Sequence, residues 1–109
     1  MIHHEDVELA AMKRDYVISL TEVLHDLDEA WSDRNLEVIA DLAHQTRGVA
    51  AMFGFPTLTD SAARLEDAIR DQTAIEWIGV HVLRFRDVLD QINIRGTDRP
   101  LRGGDAYSR

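Results

Sequence analysis

The sequence predicts an all-α protein: an antiparallel up-down-up-down four-helix bundle with a short N-terminal leader helix. Apolar residues recur at three- and four-residue spacing along four segments. The breaks between segments are short and carry Asn, Gly, Pro or Thr, as in a bundle of sequential neighbours. Strand signals are absent, because the longest β-branched cluster, "WIGVHVL", lies inside a helical period.

The leader, about Asp6 to Lys13, has only Val7, Leu9 and Met12 as large apolar residues. It is either a separate capping helix or the first turns of the helix that follows. That next helix, about Asp15 to Trp31, carries the stripe Tyr16, Leu20, Val23, Leu24, Leu27 and Trp31. "SDRN" breaks the period, and Asn35 is suited to cap the helix from Leu36 to Phe53. There the stripe is Leu36, Ile39, Ala43, Thr46, Ala50 and Phe53, with Gly54 as stop and Pro56 as block. "TLTD" reads as a capping-box start at Thr57 for a helix Leu58 to Arg70, burying Leu58, Ala62, Leu65 and Ile69. "TAIE", Thr73 with Glu76, reads as a second box for a helix Ala74 to Ile94. Its stripe is Ile75, Ile78, Val82, Phe85, Leu89 and Ile92, and Gly96 ends it. Trp31 and Trp77 fall at one end of the bundle, and Tyr16, Phe53 and Phe55 at the other, as aromatic plugs of a narrow core. The domain therefore spans residues 1–94. The segment 95–109, "RGTDRPLRGGDAYSR" with its first arginine at 95, has no period and reads as an extended or mobile tail.

Composition narrows the function classes. The 109 residues suit one domain, and the 45% hydrophobic content supplies one core. The formal charge of −8 disfavours nucleic acid and anionic lipid as partners. There is no cysteine, hence no thiolate zinc site or disulfide framework. The first residues lack the apolar core of a signal peptide, and no apolar run is long enough to span a membrane, so a cytoplasmic location is expected. The initial methionine suggests a free-standing protein.

The helix Leu36 to Phe53 poses the functional question, since its centre holds His44, Arg47 and Gly48. Glycine there costs roughly 1 kcal/mol relative to alanine. On a wheel at ~100° per residue with Ile39 at zero, Ala43, Thr46 and Ala50 lie within about 40°. His44 lies near ~140°, Gly48 near ~180°, Ala51 near ~120°, Ala40 near ~100° and Arg47 near ~80° on the same wheel. The histidine therefore points outward, flanked by the small residues Ala40, Gly48 and Ala51, with a guanidinium at i+3. An imidazole on a cleared surface suits a nucleophile that another macromolecule must reach, and arginine matches phosphate in charge and donor geometry. A di-iron reading of Glu22-x-x-His25 and Asp41-x-x-His44 fails, because those side chains fall outside the core arc. His25 reads as solvated, and His81 as half-buried. No metal site or bound cofactor is expected.

The run His44-Gln45-Thr46-Arg47-Gly48, followed after five residues by Gly54, resembles the signature of histidine-containing phosphotransfer (HPt) domains. That signature is His, two residues, Lys, Gly, five residues, Gly. The resemblance covers roughly Tyr16 to Ile92. It implies that His44 is the phosphoacceptor, that Arg47 stands where lysine is usual and neutralises phosphate charge, and that Ala40, Gly48 and Ala51 form the binding surface. It further implies a relay of a phosphoryl group between aspartates of receiver domains, in response regulators or a hybrid histidine kinase, within a multistep two-component phosphorelay. Mg²⁺ is expected in the partner receiver domain. The chain has no P-loop or kinase-type glycine-rich loop, so no kinase activity of its own is expected. The bundle closes without a second chain, which suggests a monomer. The alternative reading is a non-catalytic helical adaptor, a degenerate HPt domain that binds a receiver or kinase.

Overall fold

The computed structural model describes residues 4–98, and they form four helices and no strand. These are α1 (His4–Ser32), α2 (Leu36–Phe53), α3 (Pro56–Arg70) and α4 (Ile75–Arg95). The helices pack in chain order around a square, with α1 on α2 and α4, and α3 on α2 and α4. Cross-helix pairs fix the register. Thr21 donates to Asn93 and Asp28 accepts from Arg86, so the two helices run in opposite senses where α1 meets α4. His44 meets Glu66 and Asp41 meets Arg70 in the same reversed order between α2 and α3.

The core is the set of inward stripes, with Leu20, Leu27, Ile39, Leu65, Phe85 and Leu89 almost completely shielded from water. One end is closed by aromatic rings. Tyr16 lies 5.2 Å from Phe53 and 6.0 Å from Phe55 between ring centroids. Burial pushes the Tyr16 hydroxyl up to about 12. Each of the three turns contains one residue in the left-handed region: Arg34, Gly54 and Gln72. Gly54 does this without a Cβ penalty, and its N–H, with that of Phe55, reaches back to the last carbonyls of α2. Asn35 caps α2 as its sequence suggests, accepting from the Val38 N–H at 3.2 Å.

The structure corrects several expectations. The leader is not a separate helix: α1 runs unbroken for 29 residues, since no glycine or proline interrupts the chain between Lys13 and Asp15. Neither capping box forms. Proline occupies the first position of α3, where its fixed φ suits the helix and its missing N–H costs nothing, so Phe55 becomes the N-cap and Thr57 is already helical. α4 starts one residue later than expected, and its N-cap is Ala74 rather than Thr73. Trp77 is not a core plug but an exposed side chain, and Ile75 is also largely exposed. Trp31 remains partly buried, with its ring against Gly79 and the Arg34 guanidinium stacked 3.8 Å from its centroid.

The segment read as a tail begins later than expected, because Arg95 still belongs to α4 and Gly96 ends that helix at φ 74°. Residues 99–109 of that segment lie outside the described residues. Asp98 folds back on the bundle, where its carboxylate accepts from the Thr57 N–H at 2.8 Å and the Leu58 N–H at 3.3 Å. It thereby serves as the N-terminal cap that α3 lacks locally, with its negative charge at the positive end of the helix dipole. Asp98→Ala is expected to lower stability by about 1 kcal/mol, and Asp98→Asn by less. Urea denaturation midpoints of the three proteins check both.

Candidate functional site

α2 presents its inner arc to the core through Ile39, Ala43, Thr46 and Ala50, all buried. The opposite arc carries His44, whose side chain is 68% exposed, with Gly48 and Ala51 also at the surface. A Cβ added at Gly48 would meet nothing within 4 Å, so the glycine faces open space and does not serve internal helix packing. Ala40 does not belong to this surface. It is 1% exposed, because α2 is wedged between α1 and α3 and its buried arc is wider than the single stripe the wheel assigned. The accessible patch is therefore His44, Arg47, Gly48 and Ala51. It continues into a shallow depression lined by Arg47, Ala51, Phe55, Pro56, Thr59 and Ala63, at the seam of α2 and α3.

The centre of the site is a residue the sequence reading passed over. Glu66, on α3, is buried yet charged, with a side chain only 7% exposed. Its Oε2 lies 2.9 Å from His44 Nδ1 and accepts from Arg70 Nε at 3.1 Å. Its Oε1 accepts from Arg47 at 3.5 Å. Arg47 also stands 3.9 Å from Asp67, and Arg70 stands 3.9 Å from Asp41. One carboxylate thus gathers the imidazole and two guanidinium groups along the α2–α3 seam. Burial pushes the Glu66 carboxyl up, but the Arg70 hydrogen bond and the adjacent His44 more than offset this, leaving it below its ordinary value.

The tautomer follows from this. An ionised carboxylate only accepts, so the hydrogen between Glu66 and the ring must sit on Nδ1. In the neutral ring, the lone pair is then on Nε2. A ring pinned at one nitrogen and open at the other is oriented for nucleophilic attack from solvent. Arg47 and Arg70 carry positive charge beside it, suited to an anion at Nε2.

The α3 pattern contained a partial signal for this cluster. Glu66 and Arg70 stand four apart, the favoured acid-to-base order on a helix. Their meeting with His44 depends on how α2 and α3 pack, which periodicity alone does not reveal. His25 is exposed and His81 half-buried, and neither meets the site. Among the described residues no group of three or more His, Asp or Glu side chains is placed to hold a metal ion. A cleft of about 750 Å³ lies between α1, the α2–α3 turn and the end of α4, and His44 does not line it. The site is an open surface rather than an enclosed pocket.

Comparison with known proteins identifies the family. The family model described as "Hpt domain" matches residues 11–93, most of the chain. The chain belongs to that family, which acts in histidine phosphotransfer in two-component signalling and interacts with receiver domains or kinases. No curated protein and no solved structure matched it. No helix among the described residues is long and apolar enough to cross a membrane.

The lowered Glu66 carboxyl sets a pH dependence. A group whose folded pKa is depressed contributes stability that is present above its unfolded value and is lost as pH falls through the folded one. Glu66→Gln should therefore be less stable than wild type at neutral pH, with the gap closing as pH drops below the ordinary glutamate value of 4.5. Denaturant unfolding of both proteins at a series of pH values measures that gap.

Proposed function

We propose that this Hpt domain relays a phosphoryl group between aspartates of receiver domains, with His44 as phosphoacceptor, in a multistep two-component phosphorelay. The observation that carries the reading is the pinned, exposed imidazole: Nδ1 faces Glu66 at 2.9 Å while the side chain is 68% exposed. The relay domain is the antiparallel bundle, which the sequence division placed in residues 1–94.

A receiver carrying an aspartyl phosphate docks on the patch formed by His44, Gly48 and Ala51 and on the adjoining face of α3. The Nε2 lone pair attacks phosphorus in line. The N–P bond forms as the P–O bond to the aspartate breaks, and the aspartate leaves as a carboxylate. The ring keeps its Nδ1 proton and becomes cationic, and the Glu66 carboxylate stabilises that charge across the hydrogen bond. Arg47 neutralises phosphoryl oxygens, after exchanging its 3.5 Å contact with Glu66 for the incoming anion. Arginine in place of the usual lysine retains the charge and adds a fork of donors. A second receiver aspartate reverses the step and takes the group.

The protein's contribution is positioning and charge. It needs no metal or cofactor of its own, and Mg²⁺ belongs to the receiver's site. The partners are receiver domains of response regulators, of a hybrid histidine kinase, or both, in the cytoplasm.

Incubation with a phosphorylated receiver should give acid-labile, base-stable label on the protein, and His44→Gln should abolish it. Undiminished labelling of that variant would overturn the assignment; a wild type that binds the receiver but takes no label would be an adaptor. Arg47→Ala should slow transfer about tenfold while circular dichroism shows the bundle still folded, as expected for a partly exposed cation at the reacting group. Gly48→Leu separates docking from folding. With open space at that position, leucine should leave the melting temperature the same or higher, since glycine is the poorer helix former, while receiver affinity measured by titration calorimetry falls.

A further inference from the structure

Glu66 holds the imidazole, and Glu66 is itself held. Arg70 Nε donates to Glu66 Oε2 at 3.1 Å, and this is the oxygen that lies 2.9 Å from His44 Nδ1. Arg47 meets the other oxygen, at the looser distance of 3.5 Å. The two arginines are therefore not equivalent. The Arg70 guanidinium also stands 3.9 Å from Asp41 on α2. Asp41 and His44 are three apart on α2, and Glu66 and Arg70 are four apart on α3. The reversed pairing of the two helices then sets Arg70 against Asp41 and Glu66 against His44. The result is a line of contacts across the seam, Asp41 to Arg70 to Glu66 to His44. Asp67, also charged, stands 3.9 Å from Arg47. Among the described residues, α1 and α4 supply no hydrogen bond or ion pair to Glu66, His44 or Arg70.

This hold has two consequences for the ring. The first is orientation. A glutamate carboxylate turns easily about its terminal bond. With only His44 and Arg47 as partners, it could swing toward the Arg47 guanidinium and leave Nδ1 without an acceptor. Arg70 reaches Oε2 from one turn further along the same helix and stops that rotation. The second is charge. Burial raises the Glu66 carboxyl, and the Arg70 hydrogen bond is the strongest of the contacts that bring it below its ordinary value. An ionised carboxylate only accepts, so the ring hydrogen stays on Nδ1. A protonated one can donate to Nδ1, which moves the ring hydrogen to Nε2 and removes the outward lone pair.

We propose that Arg70 is a positioning residue for phosphotransfer: by its grip on the Glu66 carboxylate it fixes the His44 tautomer with hydrogen on Nδ1 and the lone pair on Nε2. The proposal deepens the relay reading and rests on His44 as the phosphoacceptor. It also divides the labour between the arginines. Arg70 stays on Glu66 throughout, and Arg47, more loosely held, is the one that leaves for the phosphoryl group.

Heteronuclear NMR of the His44 ring nitrogens in the full chain, with the ring neutral, reads the tautomer without any transfer. Wild type should show hydrogen on Nδ1, and Arg70→Ala should show a mixture of the two tautomers. In label transfer from a phosphorylated receiver, Arg70→Ala should lower the rate at saturating receiver about tenfold. Arg70→Lys keeps a cation and a donor and should recover most of the tautomer and of the rate. The decisive comparison uses Glu66→Gln as a second background. If Arg70 acts through the carboxylate, Arg70→Ala should change the rate there by less than about twofold. Circular dichroism checks that each variant is folded. An unchanged tautomer in Arg70→Ala overturns the proposal, even if the rate falls. Equal rate losses in the two backgrounds overturn it as well, and show Arg70 acting directly on the phosphoryl group or the receiver. A wild type that takes no label sinks the relay reading instead, whatever the tautomer.

Discussion

A carboxylate buried at the seam of two helices organises this protein's chemistry. Glu66 is removed from water on α3, and a buried anion is tolerated only where charged hydrogen-bond partners replace its hydration. It finds three, and each serves the surface above it. The His44 ring is turned so that one nitrogen is committed inward and the other is offered outward. Arg47 and Arg70 are drawn to the same edge, so two positive charges are assembled beside the ring. The same interaction thus orients the imidazole and stations two cations beside it.

The bundle makes this arrangement possible at little conformational cost. α2 and α3 are joined by a turn of only Gly54 and Phe55, and their reversed pairing brings residues 22 positions apart into hydrogen-bonding distance. The turn is locked from three sides. Gly54 supplies the left-handed residue, Pro56 presets the first turn of α3, and Asp98 arrives from beyond α4 to satisfy the free amides of that turn. The aromatic contacts of Tyr16 with Phe53 and Phe55 fasten α1 to the same corner. The end of the seam is thereby clamped by all four helices, and the histidine rides on a rigid element rather than on a loop.

The two large faces of the molecule differ in chemistry. The α2–α3 face is polar and pre-charged, with small residues around one imidazole, and is suited to brief encounters with a phosphorylated partner. The outer face of α4 exposes Trp77, Val80, Leu83 and Ile94. Because α2 and α4 lie diagonally across the bundle, occupation of one face leaves the other free.

Much of this was determined by local sequence. Helix spacing, the Asn35 cap, the Gly54 and Gly96 stops and the outward placement of His44 and Gly48 follow from a 3.6-residue period and from backbone chemistry within a few residues. Tertiary structure decided what depends on two segments meeting. Ala40 is buried because α2 has two neighbours, whereas a wheel describes one helix facing one core. The local capping box at Thr57 gave way because Pro56 moved the start of α3 and a carboxylate from beyond α4 reached its amides. Trp77 is hydrophobic and in period with its helix, yet it lies on the side where no fifth helix packs. Glu66 looks like a surface residue in sequence, and it becomes the centre of the site only when the packing of α3 on α2 removes its water and supplies His44, Arg47 and Arg70 in exchange.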